Sequence, residues 1–326
     1  MEYEKSNMHT FSPRDDRKDS AGANVPGVLE RVLEAGKFAV TAEIGPPMSA
    51  NADFVRQKAR ELKGIVDAAN VTDNQTAIVR MSSIAASYLA KEEGVECVVQ
   101  MTMRDRNRIA MQSDLLGAWA LGLRNLLVLS GDHQSFGNHP QSKNVFDIDS
   151  IQFLQAMNNL QENGVFLGGS KCKNPPHFFL GATTNPFADP EELQMIRLEK
   201  KINAGAKFIQ TQCIYDIERF ERFMEKVRER GLHERAYIEA GISVNKSLKS
   251  IQMTKQVAGM SVPDEFVTRF EQTQNAQEEG VNIALELIDK LKRIKGISGI
   301  HIMAVGWEEI VPEIVKRAGF LPRPTL

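Results

Sequence analysis

Residues 40–47 read VTAEIGPP, and the turn that follows Glu43 decides between two folds. A short apolar run ends in one carboxylate, and Gly45, Pro46 and Pro47 then stop the strand, because proline has no amide hydrogen to give to a neighbour. An open, doubly wound sheet would place a glycine-rich phosphate loop directly after its first strand. The turn here is EIGPPMS, which is not GxGxxG, and no Walker loop occurs elsewhere. A carboxylate at the end of an apolar strand costs free energy if it is buried without a partner, so Glu43 calls for a chemical reason.

Working outward from this turn, apolar runs and amphipathic stretches alternate along the whole chain. They predict strands over 39–43, 68–72, 97–102, 126–130, 178–182, 208–213, 236–240 and 300–304. A helix over 28–35 precedes the first, and helices over 53–63, 82–93, 107–121, 150–163, 191–204, 216–230, 246–257, 275–291 and 308–318 follow. The stretch 216–230 carries Ile217, Phe220, Met224 and Val227 on one face, and Gly231 is placed to end it. Eight strands, each followed by a helix, are the count that closes a parallel barrel, which takes about 250 residues. The extra length falls after the fourth and seventh strands. The expected fold is therefore α/β, a (β/α)8 TIM barrel forming one domain over residues 27–326. The polar residues 1–26 read as a mobile N-terminal extension. The chain ends just after the last barrel helix, so a C-terminal regulatory domain is not expected.

Composition narrows the function. The 326 residues are 42% hydrophobic, ordinary for a protein with a full core, and 40 basic side chains nearly balance 42 acidic ones. Nucleic-acid and membrane-surface binders carry a basic excess, so small-molecule chemistry fits better. Cys97, Cys172 and Cys213 are far apart and odd in number, which points away from a disulfide framework and toward a reducing cytoplasm. No apolar run is long enough to span a membrane, and no histidine pair has a metal-ligand spacing such as HxxxH.

In a barrel of this kind chemistry gathers at the C-terminal strand ends. Those ends supply Glu43; Thr72, Asp73 and Asn74; Gln100 and Thr102; Ser130, Gly131 and Asp132; Thr183, Thr184 and Asn185; Gln210 and Gln212; Glu239; and Met303 with Trp307. Carboxylates and amides in a ring suit a heteroaromatic ligand, since an amide offers both a donor and an acceptor to a ring edge. Taken singly, each of these residues reads more easily as structural, and Asp216 as the cap of the next helix. Glu43 and Asp132 stand out because each follows an apolar run and precedes a break. His133 and His139 read as solvated loop residues. By themselves Lys200 and Lys201 read as a solvated helix face.

AEIGPP at 42–47, NVTDN at 70–74, VLSGD at 128–132, LEKKINAGAKFIQTQ at 198–212 and DIERFERF at 216–223 together resemble the methylenetetrahydrofolate reductase family, flavin-dependent barrel enzymes of one-carbon metabolism. The similarity runs from about Gly36 to Ala318. It implies reduction of 5,10-methylenetetrahydrofolate to 5-methyltetrahydrofolate by hydride transfer from reduced flavin N5. In this resemblance Glu43 is the acid that protonates folate N10, and Asp132 acts electrostatically on flavin and folate. Gln212 would contact the pterin, Thr72 the flavin, and Lys200 with Lys201 the flavin's phosphates. Further flavin-side positions are Gln100, Ser130, Gly131 and Asn185. Four of the family's side chains differ here: a histidine is Gln100, an arginine is Ser130, a tyrosine is Asn185 and a second histidine is Asp189. The implied cofactor is FAD, with FMN the alternative. The implied electron source is NAD(P)H or an electron-delivering protein subunit, as in the reductases of anaerobic and acetogenic bacteria, which this sequence resembles. An oligomer without nucleic acid or metal is expected. Partial burial would raise the pKa of Glu43 and suit it to donate a proton near neutral pH, with the Gly-Pro-Pro turn holding its direction.

Overall fold

Eight parallel strands close on themselves in sequence order in the computed structural model, which describes residues 25–257 and 259–326. They are β1 (Ala39–Ile44), β2 (Ala68–Val71), β3 (Cys97–Thr102), β4 (Asn125–Leu129), β5 (Phe179–Thr184), β6 (Phe208–Cys213), β7 (Tyr237–Ser243) and β8 (Gly299–Met303). The barrel closes where Thr41 of β1 stands in register with His301 of β8. The helices are α1 (Val28–Glu34), α2 (Ala52–Leu62), α3 (Ser83–Glu92), α4 (Arg108–Ala120), α5 (Ser150–Asn163), α6 (Glu191–Asn203), α7 (Ile217–Glu229), α8 (Leu248–Gln256), α9 (Asp264–Gln272), α10 (Ala276–Leu291) and α11 (Val311–Arg317). The expected TIM barrel is thus the fold observed. The extension expected over residues 1–26 lies outside the described residues, except for Val25 and Pro26.

The differences from the sequence reading have local causes. β5 runs on to Thr184, because Thr183 and Thr184 stay in the ladder beside Gln210 and Thr211. β7 extends to Ser243, which pairs with Met303. Helix α9 was not expected. It buries only Phe266 and Phe270, and two aromatic residues in a charged stretch after Pro263 make a weak periodic signal. Several helix starts follow from their caps. Asn51, Asn107 and Asp216 each accept from backbone N–H groups of the first turn, and Asp149 and Gln152 form a reciprocal capping box.

Alternation along each strand divides the protein into an outer core and a barrel interior. Val40, Ala42 and Ile44 of β1 face the helices, as do Val99 and Met101 of β3 and Ile300 and Ile302 of β8. The bottom of the interior is apolar. Ala39, Ala68, Val98, Leu127, Phe179 and Phe208 pack against Leu29, Val32 and Leu33 of α1, which closes that end as a plug. Beneath the rim of the plug, Asp67 accepts from the Val40 amide at 2.8 Å and pairs with Arg323, which ties the last turn of the chain to the first strand. No helix among the described residues is long and apolar enough to cross a membrane.

Phe208 stacks on Phe179, with ring centroids 5.0 Å apart, and its ring lies against Gly181. A Cβ at position 181 would fall 2.1 Å from that ring, so the glycine is what lets the aromatic pair fill the barrel's cross-section. Replacing Gly181 with Ala should therefore destabilise the protein by about 1–3 kcal/mol, the usual cost of overpacking a rigid core. Urea unfolding of the two chains measures this, and an unchanged midpoint would show that Phe208 can move aside.

Candidate active site

Above the apolar plug the interior becomes polar. Thr41, Asn70, Gln210, Glu239 and His301 all point inward and are almost fully buried. TIM-barrel interiors are normally filled with branched apolar side chains, so this layer has to satisfy its own hydrogen bonds. It does so by mutual pairing. Asn70 Nδ2 donates to Gln210 Oε1 at 2.7 Å, and Gln210 Nε2 donates to Asn70 Oδ1 at 3.2 Å and to Glu239 Oε2 at 3.0 Å. The Thr41 hydroxyl lies 2.8 Å from Glu239 Oε2 and 2.9 Å from His301 Nδ1. The other oxygen of Glu239, Oε1, has no partner. Burial pushes the Glu239 carboxyl above the usual carboxylate range, against the hydrogen bond from Gln210 and the nearby His301.

One step higher is Glu43, whose side chain is 12% exposed at the end of β1. His301 Nε2 stands 3.6 Å from Glu43 Oε1. Glu43 opens into a cavity of about 430 Å³ at the C-terminal strand ends, within the roughly 300–1,000 Å³ of small-molecule sites. Gln100, Ser130, Gly131, Asp132, Asn185, Lys201 and Gln212 line the same cavity. Two of the residues to which the family resemblance gives a role do not. Thr72 is buried just past β2, with its hydroxyl unpartnered, and Lys200 is exposed on α6. His133 and His139 are exposed in the loop after β4.

Asp132 and Asn185 are already engaged. The Asp132 carboxylate accepts from the Thr76 amide at 3.1 Å. It thereby braces a turn in which Asn74, Thr76 and Ala77 all have positive φ, a conformation costly for residues with side chains. Asn185 Nδ2 donates to the Gly259 carbonyl at 3.0 Å, which links the loop after β5 to the segment after α8. Gln212 accepts from its own neighbour, the Cys213 amide, at 3.2 Å. Among the described residues its Nε2 has no hydrogen-bond partner.

Some lining residues escaped the sequence reading. His301 sits between Ile300 and Ile302, and that alternation marks an inward side chain on a closed barrel. Arg104, just past β3, is buried and spreads its guanidinium over three loops. It forms a two-point pair with Asp105, with contacts of 2.7 and 2.6 Å, and donates to the carbonyls of Asp132 at 3.0 Å and Asn74 at 3.2 Å. On α6, Gln194, Arg197, Leu198 and Lys201 form one stripe along the cavity wall. Lys201 is buried, and its Nζ donates to the Thr183 carbonyl at 2.6 Å. Burial first, and the neighbouring Arg197 second, lower its pKa to about 8. Cys213 lies below Gln212, and burial pushes its thiol up to about 12, so it offers no nucleophile at neutral pH. No group of three or more His, Cys, Asp or Glu suited to a metal ion occurs among the described residues.

Fold and mouth together define a class: a (β/α)8 barrel that offers a polar heteroaromatic ligand an acid, a set of amides and a cationic wall. The chain belongs to the methylenetetrahydrofolate reductase family, whose sequence profile matches residues 28–319. It is 24% identical to a probable methylenetetrahydrofolate reductase (NADPH) of Caenorhabditis elegans over 89% of this chain, but spans only 44% of that protein. It is 23% identical to the 5,10-methylenetetrahydrofolate reductase of Pectobacterium carotovorum subsp. carotovorum, over 72% of this chain and 73% of that one. Among solved structures, a Clostridium thermocellum protein that binds two copies of 5-methyl-5,6,7,8-tetrahydrofolic acid superposes with a TM-score of 0.64. At 16% identity, over 89% of this chain and 98% of that one, this likeness speaks to the fold alone.

The buried acid has a consequence for stability. The pKa of Glu239 is raised above its usual 4.5 in the folded chain, so the folded state keeps this proton to higher pH than the unfolded state does. The stability it contributes therefore falls as pH rises above that usual value. A Glu239→Gln variant does not titrate there. Its unfolding free energy should improve relative to the parent as pH rises above about 5. Urea titrations across that range check this, and parallel curves would show that Glu239 ionises alike in both states.

Proposed function

We propose that this chain reduces 5,10-methylenetetrahydrofolate to 5-methyltetrahydrofolate with a bound flavin, and that Glu43 protonates folate N10. The observation that carries this reading is the position of Glu43: a largely shielded carboxyl at the end of the first strand, facing the mouth cavity, with His301 3.6 Å behind it. Membership of the family supports the substrate class.

The residues present fit a flavin. Gln100, Ser130, Gly131 and Asn185 offer polar groups along one side of the cavity, and the unpartnered hydroxyl of Thr72 is buried at the end of the neighbouring strand. Arg197 and Lys201 on α6 would take a phosphate, which both FAD and FMN carry; this pair replaces Lys200 with Lys201, since Lys200 points away. When bound, a reduced flavin supplies the hydride that the one-carbon unit receives. The protein's share is orientation and proton control. Gln212, whose Nε2 is free to donate, would hold the pterin edge. Glu43 would deliver its proton to N10, opening the five-membered ring and leaving a cationic carbon–nitrogen double bond at N5. The Asp132 carboxylate at the mouth would favour that cation. The substrate then covers the mouth, which lowers the local dielectric and strengthens both effects.

Glu43→Gln tests the assignment. It should lower the rate of folate reduction by at least about 10²-fold, the scale of a lost general acid, while flavin binding and flavin reduction stay intact. Stopped-flow absorbance separates the two half-reactions, and loss of flavin from the variant would make Glu43 a structural residue. The same instrument identifies the donor: bleaching on adding NADH or NADPH marks direct reduction, and its absence marks a partner protein. Lys201→Met should weaken flavin binding by about tenfold or more, the worth of one charge-assisted bond. In the parent, affinity should fall as pH rises through about 8, where Lys201 loses its charge. Fluorescence titration reads both, and equal affinity at all pH values would remove Lys201 from the phosphate site.

A further inference from the structure

The loop after β2 adopts a conformation that its own residues disfavour. Asn74, Thr76 and Ala77 all have positive φ, at 46°, 59° and 56°. Asparagine tolerates that region, but alanine gains nothing there and a β-branched threonine is crowded in it. Backbone outliers of this kind persist only where the surroundings impose them, and they gather at working sites. Both ends of the loop are fixed. At one end the buried Arg104 donates to the Asn74 carbonyl at 3.2 Å. At the other, Arg80 Nη1 donates to the Pro46 carbonyl at 3.1 Å and the Met81 amide to the Pro47 carbonyl at 2.9 Å, both in the turn that follows Glu43. Between these anchors the Thr76 amide donates to Asp132 Oδ2 at 3.1 Å. By this bond the left-handed pair Thr76–Ala77 reaches the loop after β4.

Asp132 has little else to direct its side chain. Its backbone is well held. Gly131 turns at a φ of 84° against Thr102, and Arg104 Nη1 donates to the Asp132 carbonyl at 3.0 Å. The carboxyl group, by contrast, is exposed at the rim of the cavity, and among the described residues its Oδ1 has no hydrogen-bond partner. With the backbone fixed, only the side-chain torsions remain free, and one N–H held against Oδ2 removes that freedom. We propose that Thr76 is a positioning residue: its amide, aimed by the strained pair, holds Asp132 Oδ2 so that Oδ1 is presented to the cation that forms on the folate. This rests on the role given to Asp132 above. Thr76 and Ala77 act through Asp132 and need not touch the folate. A carboxylate left to rotate at the rim would turn toward water, whereas charge oriented in advance needs no reorganisation as the cation develops. The backbone strain of the loop then has a purpose, which is to carry an N–H to a place that a relaxed turn would not.

Gly137, in the loop after β4, allows the pair to be moved without altering either partner of the bond. Its backbone is ordinary, with φ −99° and ψ −167°, so it accepts alanine without strain of its own. A Cβ there would nevertheless fall 1.8 Å from the Ala77 carbonyl oxygen, so in Gly137→Ala the pair must shift. Thr76→Gly is a second route: it adds no atom and frees the amide to leave its orientation. Hydrogen–deuterium exchange of the ligand-free full chain, resolved to single amides by fragmentation, reads the bond. The amide of residue 76 should exchange at least about tenfold faster in Gly137→Ala and in Asp132→Ala than in the parent. Equal rates in the parent and Asp132→Ala would overturn the proposal. A double-mutant cycle reads the positioning. Gly137→Ala, and likewise Thr76→Gly, should slow the folate half-reaction by about tenfold in the parent with an unchanged KM for folate, and by no more than about twofold when added to Asp132→Ala. Equal losses in both backgrounds would make the loop merely structural and overturn the proposal. If the chain proved not to reduce folate, the parent would show no folate half-reaction, whereas the exchange result would stand or fall separately.

Discussion

Every inward side chain in the middle of this barrel must find its hydrogen bonds among the others. The strand alternation that sends Val40, Ala42 and Ile44 outward to the helices sends Thr41 and Glu43 inward, and the same parity brings in Asn70, Gln210, Glu239 and His301. A register slip of one residue on any strand would exchange a member of the polar layer for an aliphatic one and leave its partners unsatisfied. The interior is therefore specified twice. The outer shell fixes which residues face in, and the polar layer accepts only one set of them. The plug of α1 and the Phe179–Phe208 stack make the end below this layer apolar.

The mouth combines groups that differ in freedom. Lys201 is held by the Thr183 carbonyl, and Asn185 by Gly259, whereas Gln212 keeps its donor free. Groups already bonded to the protein lose little entropy when a ligand arrives, so such a wall is pre-organised for binding. Asp132 has two tasks that compete. Its carboxylate braces the left-handed turn around Thr76 and also faces the cavity, so its charge is shared between the fold and the ligand.

Much of this was legible in the sequence, and the reasons are physical. Strand and helix order follows from periodicity that tertiary contacts reinforce. The GPP turn after Glu43 excluded the phosphate-loop alternative, and reading polar residues at strand ends found most of the cavity wall. What escaped lay elsewhere. His301 and Thr41 sit in mid-strand, where attention to strand ends overlooks them, although the alternation in GIHIM and AVTAEI marks both as inward. Arg197 precedes Lys201 by one helical turn, and two adjacent lysines drew the reading away from the spacing that puts side chains on one face. Arg104 could not be placed from sequence, because its partners lie on three separate loops. The pairing of Glu239 with Thr41 likewise joins strands nearly 200 positions apart in the chain, separated by 198.

The guanidinium of Arg104 bears on how such a barrel can diversify. Because one buried cation holds the loops after β2, β3 and β4 by Asn74, Asp105 and Asp132, these three segments form a single cassette. A chimera that imported one of them from a relative would orphan the guanidinium or the groups it serves. Recombination among cousins should succeed when the three travel together, and the opposite wall, built on α6 and the segment after α8, can then be exchanged on its own terms.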